Sequence, residues 1–133
     1  MTGGEGRKVL ERTGVERLAA RLKEIVRRQR LDYVELMSAL LAFRTTSGSP
    51  DPARAKAFER ELDSCLDFLE HRLVAQGFRF RRHDNMVALA ERGGEREKRT
   101  IGIATHLDVV PPGEDWTVPP FGGIVRDDAI WGR

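Results

Sequence analysis

Apolar residues recur at helical spacing along the first half of the chain and in short runs along the second, so the pattern changes near Gly77. Val15, Leu18, Ala19, Leu22, Ile25 and Val26 fall on one face of a predicted helix, with Arg17, Arg21, Lys23, Arg27 and Arg28 mostly elsewhere. Asp32, with Glu35 three residues later, forms a capping-box pattern with Asp in place of Ser or Thr. It is expected to open a second helix through Val34, Leu36, Leu40 and Leu41. The run RTTSGSPDP, Arg44 to Pro52, breaks that helix. Asp51 as N-cap and Pro52 as first helical residue then start a long helix, which Gly77 can end in a left-handed conformation. Its apolar stripe, Phe58, Leu62, Cys65, Leu66, Leu69 and Leu73, is the candidate core.

Beyond Gly77 the period shortens. FRFRR, then NMVALAE from Asn85 to Glu91, then TIGIAT from Thr100 to Thr105 each predict a strand, with Gly93 and Gly94 turning the second into the third. The third run is apolar on both faces, which suits an interior strand covered by helices on both sides. FGGIVRDDAIWGR predicts a strand, a turn at Asp127 and Asp128, and a second strand that stops at Arg133 without a turn or polar tail. No internal repeat or low-complexity segment interrupts the pattern. The expected fold class is therefore α/β, helices followed by strands of a mixed sheet, with the chain ending in mid-element.

Composition narrows the function classes. In 133 residues with 40% hydrophobic content, 23 basic and 21 acidic residues leave a net charge of +2, which gives no whole-chain case for nucleic acid. No run reaches transmembrane length and Met1 to Gly6 lacks the layout of a secretory signal, so a cytoplasmic location without membrane association is expected. Cys65 stands alone, which rules out an intrachain disulfide, and its place on the apolar stripe makes it a small core hydrophobe. The basic N-terminal helix is interrupted by Glu16 and Glu24. It is expected to pack on its own domain or on a second copy in a homodimer rather than on a membrane surface.

The candidate chemistry lies in THLDVVPPGEDW, Thr105 to Trp116. Residues i and i+2 of an extended segment point to the same side, so His106 and Asp108 project together at the tip of the apolar run. A neutral imidazole there can give one nitrogen to a metal while a carboxylate accepts the other N–H. A hydrogen-bonded structural pair is the alternative. A His-Asp-His facial triad for Fe(II) is excluded, since no histidine follows His106 and the helical first half is wrong for the all-β scaffold expected with that triad. His71 and His83 are expected at the surface, and Trp116 and Phe121 as anchors of the loop. Pro111 and Pro112 are expected to stiffen that loop.

The string HLDVVPPGEDWTVPPF followed by IWGR resembles the co-catalytic zinc metallopeptidase family of aminoacylases, acetylornithine and succinyl-diaminopimelate deacylases, carboxypeptidases and dipeptidases. The Asp84-Asn85 pair, the PPG and the PPF are most similar to the dipeptidase branch. The resemblance covers residues 31–133, the N-terminal part of a catalytic domain, and leaves residues 1–30 as a basic amphipathic helical extension. It implies a site of two zinc ions, with cobalt or manganese able to replace them, in which His106 is a ligand and Asp108 the catalytic-site residue that supports it. It also implies hydrolysis of a dipeptide or an N-acyl amino acid by metal-bound hydroxide. The bridging carboxylate, the general-base Glu and the remaining ligands would lie beyond Arg133, so the complete form is expected to be an enzyme and the 133-residue chain alone inactive. The other reading is a non-catalytic remnant of the same fold that serves as a binding or assembly module.

Overall fold

The computed structural model describes residues 3–84, 86–94 and 99–133, with side chains from residue 13 onward. It divides into two compact units, the first reaching Met37 and the second spanning Ser38–Arg133.

In the first unit, α1 (Gly3–Arg28) and the start of α2 (Arg30–Leu40) follow the helical period. Glu24 bridges Arg28 at 2.8 Å and Arg27 at 3.4 Å, exposed pairs worth only a few tenths of a kcal/mol each. The expected capping box at Asp32 does not form. Backbone bonds from Gln29 N to Ile25 O and from Tyr33 N to Gln29 O, both 3.0 Å, carry the ladder across the single non-helical residue Gln29. With no free helix start to cap, Asp32 sits in the first turn of α2. The apolar stripe of α1 stays open to solvent, with Val15 at 66% and Leu18 at 58% exposure.

The second unit is organised on α3 (Pro52–Ala75). Its start is as expected: Asp51, in an extended conformation, accepts a hydrogen bond from Ala53 N at 2.9 Å, and Pro52 follows where a missing N–H costs nothing. At the other end Gly77 has φ 84°, its N–H bonds Val74 O at 2.9 Å and Phe78 N bonds Leu73 O at 3.0 Å. This is a Schellman closure, and it satisfies carbonyls that the helix end would otherwise leave unpaired. Leu62, Cys65 and Leu66, one face of α3, form the buried core. Each buried leucine contributes about 2 kcal/mol. The Phe43 and Phe68 rings extend this cluster at a centroid distance of 5.6 Å.

β1 (Arg79–His83) and β2 (Val87–Glu91) pair antiparallel from Arg79 opposite Glu91 to His83 opposite Val87. The hairpin turns at Asp84, in the left-handed region with φ 51°; Asn85 lies outside the described residues. Arg82 ties β1 to α3. Its guanidinium meets Asp63 at 3.0 Å, Asp67 at 2.5 Å and Glu70 at 2.9 Å, three carboxylates that the helical period stacks on one face. Asp67, whose hydrogen bond comes first, and Glu70 raise its pKa further above the usual value against an opposing desolvation.

The strand expected at Thr100 to Thr105 is not formed: the segment carries no regular secondary structure, and Ile101 and Ile103 are 90% and 89% exposed. A strand apolar on both faces needs layers to cover them, and β1 and β2 form a two-stranded sheet to which this segment is not added. The expected Gly93-Gly94 turn into it is likewise not a hairpin; Gly93 sits in a bend, and residues 95–98 lie outside the described residues. The last pair, β3 (Ile124–Arg126) and β4 (Ala129–Trp131), forms the expected hairpin. Asp127 and Asp128 both have positive φ, 54° and 57°, as a primed two-residue turn requires.

Candidate functional site

The site begins with two polar segments far apart in sequence. Thr46 and Val109 form an isolated parallel bridge, in which Ser47 N donates to Val109 O at 3.0 Å and Val109 N to Thr45 O at 2.9 Å. The Thr45 hydroxyl donates to Leu107 O at 2.6 Å, and Thr45 is only 3% exposed. A buried hydroxyl with a partner carries little penalty, whereas an unpaired one costs about 1–3 kcal/mol. The break after α2 therefore holds residues 107–109 in an extended conformation with defined register.

That register places His106 and Asp108 on one side, as the i, i+2 spacing predicts. His106 Nδ1 lies 2.8 Å from Asp108 O and 3.2 Å from Asp108 Oδ1. Both partners are oxygen acceptors, so the assigned tautomer carries the proton on Nδ1 and leaves the Nε2 lone pair open. The imidazole is 80% exposed, which gives Nε2 free access. Asp108 also accepts a hydrogen bond from the Ser47 hydroxyl on Oδ2 at 2.9 Å. Its carboxyl is held below the usual carboxylate value, chiefly by Ser47, with partial desolvation opposing and the His106 imidazole adding to the effect.

The loop that follows is tied at several points. Trp116 Nε1 donates to Pro112 O at 2.7 Å, and Arg133 Nε donates to Val110 O at 3.2 Å. Arg133 N donates to Pro120 O at 2.7 Å, and Arg44 lies over the Phe121 ring at 5.2 Å. Trp116 and Phe121 thus serve as loop anchors. Gly123, φ 54°, lets the loop pass against Ser38, whose hydroxyl donates to Gly123 O at 2.5 Å.

His106 Nε2 takes no part in these contacts. Among the described residues no three His, Cys, Asp or Glu side chains are grouped so as to share an ion. His71 lies on α3 beside a shallow hollow lined by Asp67, Glu70, Val74 and Ala75, and His83 ends β1. Cys65 is 2% exposed, and burial, with the Glu61 charge second, pushes its thiol pKa up; it is a core residue without thiolate character. Sequence reasoning did not assign Thr45, Ser47 or Arg133 to the site. The only local signal was the polar TTS run that interrupts the helices.

Comparison with known proteins gives a consistent picture. The chain is 39% identical over 90 residues to succinyl-diaminopimelate desuccinylase 2 of Ruegeria sp. (strain TM1040), covering 62% of this chain and 22% of that protein. It is 44% identical over 78 residues to the succinyl-diaminopimelate desuccinylase of Rhodospirillum rubrum, 51% of this chain and 19% of that protein. With the enzyme of that name from Paracoccus denitrificans it shares 38% identity over 104 residues, 77% of this chain and 25% of the relative. The chain thus spans about a quarter or less of the length of the curated relatives it matches. No family model and no solved structure matches.

Proposed function

We propose, from the premise that the chain is homologous to a stretch of the succinyl-diaminopimelate desuccinylases of the zinc-dependent metallopeptidase family, that it carries one metal-ligand corner of a zinc amidohydrolase site. His106 would supply the ligand through Nε2. Asp108, by accepting a hydrogen bond from Nδ1–H, orients the ring and raises its basicity toward the metal. The observation that carries the reading is the His106–Asp108 contact at 3.2 Å with Nε2 left open. Zinc, when bound, would polarise the scissile carbonyl and acidify a water. Residues 107–109 hold the ligand in place through the bridge to Thr46, and the Trp116 and Arg133 contacts keep the flanking loop from drifting. The substrate class is an N-acyl amino acid, favoured by the relatives' names over the dipeptide suggested by the Asp84-Asn85, PPG and PPF positions.

Two measurements test this. Zinc added to the chain with 15N-labelled histidine should perturb His106 Nε2 ahead of His71 and His83. Binding should be weaker than micromolar, since one imidazole lacks the three or four ligands of a closed site, and His106→Ala should abolish it. First perturbation at either other histidine overturns the ligand assignment. For the reaction, the aligned residues of this chain grafted into one of the desuccinylases should retain hydrolysis of an N-succinyl amino acid and lose it with His106→Ala. A graft whose activity survives that substitution overturns the proposal.

A further inference from the structure

The Asp108 carboxylate is divided between two donors, Ser47 Oγ on Oδ2 at 2.9 Å and His106 Nδ1 near Oδ1 at 3.2 Å. With one oxygen held, the carboxylate can no longer rotate freely, and the other oxygen is presented to the imidazole. Ser47 is itself fixed. Its N–H bonds Val109 O at 3.0 Å, Thr45 on the same segment bonds Leu107 O at 2.6 Å, and Gly48, φ 80°, turns the chain away directly afterward. The hydroxyl is thus anchored by backbone bonds to the segment that carries the carboxylate it serves.

This order is not that of a serine–histidine–carboxylate triad. In a hydrolytic triad the serine gives its proton to an imidazole, which a carboxylate orients. Here the serine proton goes to the carboxylate, and the imidazole lies on the carboxylate's other side. Among the described residues Ser47 donates to a carboxylate and to no imidazole.

We propose that Ser47 is a positioning residue: by holding the Asp108 carboxylate beside Nδ1, which also meets Asp108 O at 2.8 Å, it strengthens the preference for the His106 proton on Nδ1 and reserves Nε2 as the open donor atom. An unconstrained neutral imidazole carries its proton mainly on Nε2, the tautomer that would block ligation there. The use of the free nitrogen rests on the ligand reading above. The tautomer does not, because it is a property of the metal-free chain.

The experiment compares Ser47→Thr, which keeps the hydroxyl, with the near-isosteric Ser47→Val, which lacks it. Long-range 1H–15N correlation at a pH where the rings are neutral reports the tautomer of each histidine. Wild type and Ser47→Thr should show His106 mainly as Nδ1–H. In Ser47→Val the ratio of Nδ1–H to Nε2–H should fall several-fold, with His71 and His83 unchanged as internal references. Equal ratios in the two variants, whatever their stability, overturn the proposal. Zinc titration of the same samples separates the two claims. A tautomer shift without zinc perturbation at His106 keeps the role of Ser47 and removes the ligand reading. Zinc perturbation at His106 with no tautomer shift keeps the ligand reading and removes the role of Ser47.

Discussion

At residue scale, Asp108 couples the site to pH. Its carboxyl titrates below the usual carboxylate value of about 4 because Ser47 and His106 both favour the charged form. A group with a depressed folded pKa contributes stability that is fully present above its unfolded pKa and is lost as pH falls through the lower folded value. The stability difference between wild type and Asp108→Asn, from denaturant unfolding, should be constant above about pH 5 and shrink below about pH 4. A difference that grows on acidification would refute this. Gly123 makes a second test. Its φ is 54°, and a Cβ built there would run into the Ser38 carbonyl, so Gly123→Ala should cost more than about 2 kcal/mol. Gly94, with nothing within 4 Å of the same Cβ, should tolerate alanine within about 0.5 kcal/mol. The His106–Asp108 pairing was legible because an extended chain alternates sides, a rule needing only two positions. Ser47 was not, since it meets Asp108 from 61 residues away and the sequence carries no mark of that register.

At the scale of elements, legibility followed locality. The start and stop of α3 were readable because Asp51, Pro52 and Gly77 act on their own neighbours. The Asp127-Asp128 hairpin was readable because a primed turn is a two-residue requirement. The strand expected at Thr100 to Thr105 failed because strand formation depends on an edge to pair with, and the composition of one segment says nothing of where that edge is. The Asp51 cap has a measurable worth: Asp51→Ala should lower stability by about 1 kcal/mol, and Asp51→Ser should recover most of it. The tie between α3 and β1 behaves differently. Removing the Arg82 guanidinium takes from Asp63, Asp67 and Glu70 the cation they share. Because these acids are roughly half exposed or more, the loss in Arg82→Met should be about 1 kcal/mol and should diminish in high salt as the attraction is screened. A loss independent of salt would place the role of Arg82 in packing instead.

At the scale of the whole molecule, apolar surface left open on the described residues sets the solution behaviour. Only Leu62, Cys65 and Leu66 among the described hydrophobic side chains are buried, while Ile101 and Ile103 are 90% and 89% exposed on a segment without sheet partners. An apolar, unpaired segment offers its backbone N–H and C=O groups to any similar segment, and native proteins normally block such edges with charge, proline or a covering element. Thr100 to Thr105 contains none of these residues. The exposed stripe of α1 adds a second apolar surface, but on a helix whose other positions carry arginines and Glu24 that keep it solvated. The Thr100 to Thr105 segment should therefore dominate self-association. Sedimentation velocity should show concentration-dependent oligomers of the 133-residue chain, and Ile101→Lys with Ile103→Lys should shift it toward monomer with the helical circular dichroism unchanged. The pair Leu18→Lys and Leu22→Lys on α1 should have the smaller effect. A wild-type chain that sediments as a monodisperse monomer, or one made monomeric only by the α1 substitutions, would show that the segment preceding His106 is not the associating edge.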